Sequence, residues 1–251
     1  MKENTMGQGI LITATDTGAG KTYVTCLLGN RLIREGVAVL PLKPVESGCA
    51  PGADGRPFPA DAAALRDAFA PELSVSAVCR YPLPAALSPH LAARVEGVSI
   101  DPARMRQTVI DAVKATDVVL IEGAGELTVE IREGYSFADL ARDLSLRVLI
   151  VAGNRLGVLN HLKLTIHYLQ SEEIPLFGVI LNDLTSEPFS AREPNETEVQ
   201  RIVGDYCLGR IPYGAAFLPE EMFSRFRCGM LQIKYDSSLP YLGRHKNKAS
   251  P

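Results

Sequence analysis

Ala14-Thr-Asp-Thr-Gly-Ala-Gly-Lys-Thr22 lies between two periodic stretches of opposite character. Just before it, Gly9-Ile-Leu-Ile-Thr-Ala14 is continuously apolar and rich in β-branched residues, which predicts a strand. Just after it, Lys21 to Glu35 places Val24, Leu27, Leu28, Leu32 and Ile33 along one side and stops at Gly36, which predicts a helix with a glycine stop. A strand, a glycine-containing turn ending in G-K-T and a helix are the context of a phosphate-binding loop. Backbone N–H groups of such a turn and of the helix start surround a polyphosphate, and the Lys21 ammonium neutralises its outer phosphates. The Thr22 hydroxyl is then available to Mg2+. Strict G-x-x-x-x-G-K-[ST] spacing asks for glycine at position 15, where this chain has Thr15, and the small residue Ala14 comes one place earlier. The bland alternative is a turn that only caps the helix, and G-K-T in this position argues against it. Partition and division-site ATPases carry a lysine six residues before the loop threonine. Here that place is Asp16, which argues against that branch.

Outward from the loop, four more aliphatic runs predict strands: Val37-Ala-Val-Leu-Pro-Leu42, Asp117-Val-Val-Leu-Ile121, Arg147-Val-Leu-Ile-Val151 and Leu176-Phe-Gly-Val-Ile-Leu181. Little polar alternation within them implies strands covered on both faces. Residues 101–115 open with Asp101 as N-cap and Pro102 at the first helical position, and residues 157–171 also read as a helix. The expected fold is a single α/β domain of the phosphate-loop NTPase type, with a mostly parallel central sheet flanked by helices. Its ligands belong at the carboxyl ends of the strands. The stretches 49–59 and 80–90 are crowded with Gly and Pro and read as long surface loops. Beyond about residue 215 no helical or strand period is evident, so the core is expected over about 9–215, with 216–251 of open role within one domain spanning 1–251.

The chain has 251 residues, 46% apolar and 22% charged, so a disordered polymer is excluded. A formal charge of −3 speaks against a nucleic-acid binder. No apolar run reaches the roughly 20 residues of a membrane span, and the start MKENTMGQG lacks the pattern of a secretory leader, so a soluble, cytoplasmic protein is expected. The five cysteines, Cys26, Cys49, Cys79, Cys207 and Cys228, form no C-x-x-C pair and read as reduced packing residues. His90, His161, His167 and His245 lack metal-ligand spacing and read as packing or surface residues.

Two further constellations fall at strand ends. Lys43-Pro-Val-Glu-Ser-Gly48 follows the second predicted strand, where Lys43 and the Ser47 hydroxyl share the sheet edge with the phosphate loop; the alternative for Lys43 is an ordinary surface lysine. Glu122-Gly-Ala-Gly125 follows the strand DVVLI, which places a carboxylate beside a metal-bound phosphate. Asp61 is read either as the N-cap of a helix after the first Pro/Gly loop or as a second metal carboxylate.

T-D-T-G-A-G-K-T, K-P-V-E-S-G, L-S-P-H, E-G-A-G, R-L-G-V-L-N-H and L-N-D occur in the order and roughly the spacing of the dethiobiotin synthetase family, which the chain resembles over about residues 9–215. The resemblance implies an ATP- and Mg2+-dependent homodimeric ligase that closes the ureido ring of dethiobiotin from 7,8-diaminopelargonate and CO2, through a carbamate and a carbamic–phosphoric anhydride. It further implies catalytic roles for Thr17, Lys21, Lys43 and Ser47 around the carbamate and the γ-phosphate. Thr22, Asp61 and Glu122 match the magnesium ligands. ATP contacts are implied for Gly18, Ala19, Gly20, Lys21, Thr22 and Tyr23, for Gly123, Ala124 and Gly125, and for Asn182, Asp183, Ile211, Pro212 and Tyr213 near the adenine. Val158, Leu159 and Asn160 match a helix start that holds the substrate carboxylate across the dimer interface, and a helix N-terminus is a natural anion site. The family commonly continues E-G-A-G-G, whereas Glu126 follows Gly125 here. Two other functions share the loop. A cobyrinic-acid-type amide ligase normally carries a glutaminase portion, for which 251 residues leave no room. A switch-type partition ATPase docking through its basic tail is opposed by Gly229, Pro240 and Gly243, which interrupt any long amphipathic helix.

Overall fold

Six strands form one sheet in the order Cys207–Ile211, Leu176–Asp183, Arg147–Asn154, Gln8–Ala14, Val118–Glu122, Val39–Leu42, and every neighbouring pair is parallel. The computed structural model describes residues 7–187, 190 and 192–231. The α/β architecture expected from the aliphatic runs is thus present, with strand ends shifted by one to three residues. Along Gln8–Ala14, Ile10 and Ile12 point into one hydrophobic layer and Leu11 into the other. Both faces are buried, which is why these strands read as continuous apolar runs.

On one face, the helices Pro102–Ala115, Phe137–Asp143, Val158–Ser171 and Arg192–Val203 bury Met105, Phe137, Leu162 and Val199 against the sheet. On the other, Lys21–Arg34, Ala60–Phe69 and Glu220–Leu231 bury Leu28, Leu65 and Phe226. Asp101 caps its helix as expected, accepting from the N–H groups of Ala103 and Arg104.

Three expectations need correction. No helical or strand period is evident in the sequence beyond 215, yet Glu220–Leu231 is a helix. Met222, Phe223 and Phe226 have helical spacing and are buried, and the Phe177 and Phe226 rings meet at 4.8 Å. Each fully buried phenylalanine contributes about 1.5–3 kcal/mol, enough to fix a short helix that lacks a long amphipathic period. The stretch 80–90 is not all loop, because Tyr81–Leu83 pairs in parallel with Val45–Ser47. The loop 49–59 closes on itself through an antiparallel pair, Ala50–Pro51 with Pro57–Phe58. Residues 1–6 and 232–251, which include Pro240, Gly243 and His245, lie outside the described residues.

All five cysteines are free thiols, with Cys49, Cys79 and Cys207 buried. Burial pushes the Cys49 thiol up to about 11 and the Cys79 thiol up to about 12, so both stay protonated. No helix among the described residues is long and apolar enough to cross a membrane.

The helix Phe137–Asp143 starts with a capping box in which Ser136 and Asp139 satisfy each other's backbone N–H. Burial opposes the Asp139 charge, but the hydrogen bonds from Ser136 and the Arg142 guanidinium outweigh it and hold its carboxyl below the usual range. A depressed carboxyl stabilises the fold above its unfolded pKa of about 3.9 and loses that contribution as pH falls through the lower folded value. Asp139→Ala should cost about 1 kcal/mol at pH 7, a melting shift of about 2–4 °C. In denaturant titrations at stepped pH, the gap between variant and native chain should narrow below the usual carboxylate range; a gap that stays constant there would contradict this account.

Candidate functional site

The sheet reverses its strand order at Gln8–Ala14, whose neighbours are the two later strands Arg147–Asn154 and Val118–Glu122. The phosphate loop leaves the carboxyl end of this strand, at the point where open α/β sheets bind ligands. Thr15 still donates its N–H to the Val151 carbonyl at 3.1 Å, so the chain turns only after it. The turn is made at Gly18 and Gly20, with φ of 78° and 90°. At Gly20 a side chain is also excluded by space, since a Cβ there would lie 2.3 Å from Asn182 Nδ2.

The register then dictates the charged centre. Leu42 pairs with Ile121 and Ile12 pairs with Glu122, so the residue after Leu42 continues at the level of Glu122. Lys43 Nζ meets Glu122 Oε1 at 2.6 Å and Asp61 Oδ2 at 3.0 Å. Thr22 donates its hydroxyl to the same Glu122 oxygen at 2.8 Å. Lys43 is 3% exposed, which rules out the surface-lysine alternative. Burial works against its charge, yet Glu122 and Asp61 raise its pKa above the ordinary lysine value, so it remains an ammonium. Lys21 goes the other way. Burial, aided by the nearby Lys43 and only partly offset by Glu122, lowers its pKa. A bound polyphosphate would favour its charged form.

Asp61 is not an N-cap. The cap position of Ala60–Phe69 is Pro59, and Asp61 sits in the first turn with its carboxylate on Lys43. The cap is Glu46, whose two oxygens accept from the N–H groups of Asp61 and Ala62 at 3.0 Å each. Its role was hidden in the sequence because the partners are 15 and 16 residues away.

Thr17, Gly18, Gly20, Lys21, Thr22 and Tyr23 line a cavity of about 630 Å3 together with Lys43, Ser47, Asp61, Glu122, Ala124 and Gly125. Ala19 and Gly123 are buried beneath it. Asn182 supports the loop, donating to the Ala19 carbonyl at 2.9 Å, while its Oδ1 is buried without a partner. Asp183 turns away to protein donors, Asn154 Nδ2 at 2.7 Å and the Arg210 guanidinium at 2.8 Å. Ile211 is buried and Tyr213 exposed; the turn that contains Pro212 is tied to the loop helix by the Tyr23 hydroxyl on the Ala215 carbonyl. Val158, Leu159 and Asn160 start a helix outside the cavity, with Val158 buried. That helix start is braced to the loop: Arg155 Nε donates to Asp16 Oδ2 at 3.0 Å, and His161 Nδ1 lies 3.5 Å from the same oxygen. His161, expected as a packing or surface residue, lies beside this contact without hydrogen-bonding to it. Glu126, the departure from the family pattern, also lines the cavity and accepts from the Thr17 hydroxyl at 3.0 Å.

Thr22, Asp61 and Glu122 offer only hard oxygen donors, which suits Mg2+. Glu122 Oε2 is buried and has no partner, a free lone pair where a cation fits. With two carboxylates and one hydroxyl on the protein side, the remaining positions suit phosphate oxygens and water.

A phosphate loop at the switch point of a parallel sheet, with a buried lysine and acid–hydroxyl set beside it, defines a phosphate-loop NTPase. A family model described as an AAA domain matches residues 8–220. The ATP-dependent dethiobiotin synthetase BioD of Anaeromyxobacter sp. (strain Fw109-5) is 35% identical over 90% of this chain and 100% of its own. That of Aromatoleum aromaticum (strain DSM 19018 / LMG 30748 / EbN1) is 36% identical over 86% of this chain and 95% of its own. Among solved structures, the MinD cell division protein of Aquifex aeolicus is similar at a TM-score of 0.50 and 17% identity, over 89% of this chain and 87% of its own, a likeness of fold. The chain belongs to the ATP-dependent dethiobiotin synthetase family. It is an ATP-dependent ligase of biotin synthesis that forms C–N bonds.

Glu46→Ala removes both acceptors from the helix that carries Asp61. Unfolding in urea should show a loss of about 1–2 kcal/mol. Amide hydrogen exchange at Asp61 and Ala62 should quicken selectively; unchanged exchange there would show that Glu46 is not the cap.

Proposed function

We propose that the chain closes the ureido ring of dethiobiotin from 7,8-diaminopelargonate, CO2 and ATP, acting as a homodimer. The observation that carries this reading is the pairing of Lys43 with Glu122 and Asp61 beside the phosphate loop, a fixed cation at the sheet edge where two anions must meet. One substrate amine adds CO2 to give a carbamate anion. A carbamate oxygen then attacks the γ-phosphorus of ATP, and the second amine displaces phosphate from the mixed anhydride to close the ring.

This chain's residues serve those steps without any side-chain nucleophile. The turn amides and Lys21 hold the β- and γ-phosphates, and Lys43 shields the repulsion between carbamate and γ-phosphate. Thr17 and Ser47 line the same cavity with hydroxyls for the carbamate. Mg2+ bound by Thr22, Asp61 and Glu122 would neutralise phosphate charge as it spreads in the transition state. Asn182 lies under the loop and Ile211, Pro212 and Tyr213 beside its helix, a placement that supports adenine contacts for them; Asp183 would act there by ordering Arg210. Val158, Leu159 and Asn160 would receive the substrate carboxylate of the partner subunit's site, and the Asp16–Arg155 contact links that helix start to the chain's own phosphate loop.

Phosphate release from ATP should require both diaminopelargonate and bicarbonate; release unaffected by either would overturn this proposal. Lys43 acts where carbamate and phosphate approach, so Lys43→Gln should lower kcat by at least about tenfold, roughly 1.4 kcal/mol of barrier, with a smaller change in ATP affinity. Lys21→Ala should damage both. Equal losses of ATP binding and turnover in Lys43→Gln would make Lys43 a nucleotide ligand instead.

The solution mass should be twice 27.1 kDa. A monomer that stays fully active on dilution would contradict the shared site.

A further inference from the structure

We infer that Glu126 is a specificity-determining residue: its carboxylate holds the substrate's second amino group as an ammonium and makes the site selective for diamines over monoamines. This inference rests on the ring-closing reading above. Four carboxylates line the cavity: Glu46, Asp61, Glu122 and Glu126. The first three have their charge answered inside the protein. Glu46 accepts two helix N–H groups, and Asp61 and Glu122 share Lys43. Glu126 differs: among the described residues no Lys, Arg or His comes within ion-pair distance of it, and its one hydrogen-bond partner is the Thr17 hydroxyl on Oε1.

Its position is fixed by the backbone. Gly125 turns the chain at φ 82°, where a Cβ would stand 2.9 Å from Val129 Cγ2, and the Val129 N–H donates to the Glu126 carbonyl at 3.2 Å. The next residue, Leu127, is pinned by the Ala138 N–H on its carbonyl at 3.0 Å. A fixed turn therefore presents this carboxylate to the cavity, bonded to the phosphate loop itself.

A carboxylate without an ion-pair partner beside the γ-phosphate and a carbamate anion raises the energy of the bound complex. Lys21 feels the Glu126 charge, which favours its ammonium form, but makes no ion pair with it, and Lys43 is held by Glu122 and Asp61. A diamine brings its own cation. An alkyl amine resembles the lysine ammonium and is protonated near neutral pH, so once one amine has become a carbamate the other remains an ammonium. Glu126 gives that ammonium a charge-assisted hydrogen bond, which a monoamine already converted to its carbamate cannot make, and the same carboxylate can take the proton that the ammonium must give up before the free amine attacks the anhydride. The substrate class selected is a carboxylic acid with two amines close enough to span from the carbamate position to Glu126.

The test is calorimetric binding, in bicarbonate buffer so that one amine can become a carbamate, of 7,8-diaminopelargonate, 7-aminopelargonate, 8-aminopelargonate and ATP, each titrated separately, to the full chain and to Glu126→Gln and Glu126→Gly. Glutamine keeps the shape and an acceptor for Thr17 but removes the charge. Expected is about tenfold or greater weakening of diamine binding in both variants, with monoamine and ATP affinities unchanged or tighter than in the native chain. Native-like diamine affinity in Glu126→Gln overturns the inference and leaves the ring-closing reading standing. Parallel weakening of diamine, monoamines and ATP also overturns it, since Glu126 would then only brace Thr17. A native chain that binds no diamine refutes both.

Discussion

The carboxylate of Glu122, fully buried, is the interaction on which the site depends. An unpaired ion at such a position costs several kcal/mol, so the fold must bring it a cation and hydrogen-bond donors. It does so from two directions. Lys43 arrives from the neighbouring strand because the parallel register continues one residue past Leu42, and Thr22 arrives from the first turn of the loop helix. One oxygen thereby joins the sheet edge to the phosphate loop. The other oxygen is left without a protein partner, and it is this remainder that suits a metal.

Around that centre, rigidity comes from polar contacts made over long sequence distances. Glu46 fixes the helix that carries Asp61, so the Asp61 carboxylate reaches Lys43 at a set angle. Asn182 Nδ2 holds the Ala19 carbonyl and occupies the space that a side chain at position 20 would need. Asp16 ties the outer wall of the loop to Arg155. A site meeting a tetra-anionic substrate benefits from this preorganisation, because charges that are already in place need not reorganise during reaction.

The sequence made the sheet legible because strands covered on both faces leave a signature that survives without any tertiary information, a run of aliphatic residues broken only at its ends. The loop residues were legible for a related reason: strand, turn and helix are contiguous, so their geometry is local. What stayed hidden was non-local. The Glu220–Leu231 helix has only three buried residues, and one of them, Phe226, packs on Phe177, on a strand far earlier in the chain. The strand Cys207–Ile211 was overlooked, being short and broken by Gly209. Asp61 stood out in the sequence, but its capping alternative failed because Glu46, from another strand, caps the helix. Glu46 was inside a quoted motif and still had no role assigned, since nothing within four residues reveals a partner.

Two departures from the standard loop become intelligible together. The strict motif wants glycine at position 15, yet Thr15 remains bonded to Val151 as part of the sheet, so no left-handed conformation is needed until Gly18. The bonding to the neighbouring strand runs one residue past the strand's end, and the turn is made by the later glycines. Next to it, the partition-type loop would place a lysine where this chain has Asp16. Here the cation beside that position is the Arg155 guanidinium, which donates to Asp16. A lysine at 16 would face Arg155 directly, and like charges at such range are mutually repelling even near the surface. The loop and the start of the helix Val158–Ser171 therefore constrain each other: the acid at 16 can be exchanged for a base only if the helix start changes too.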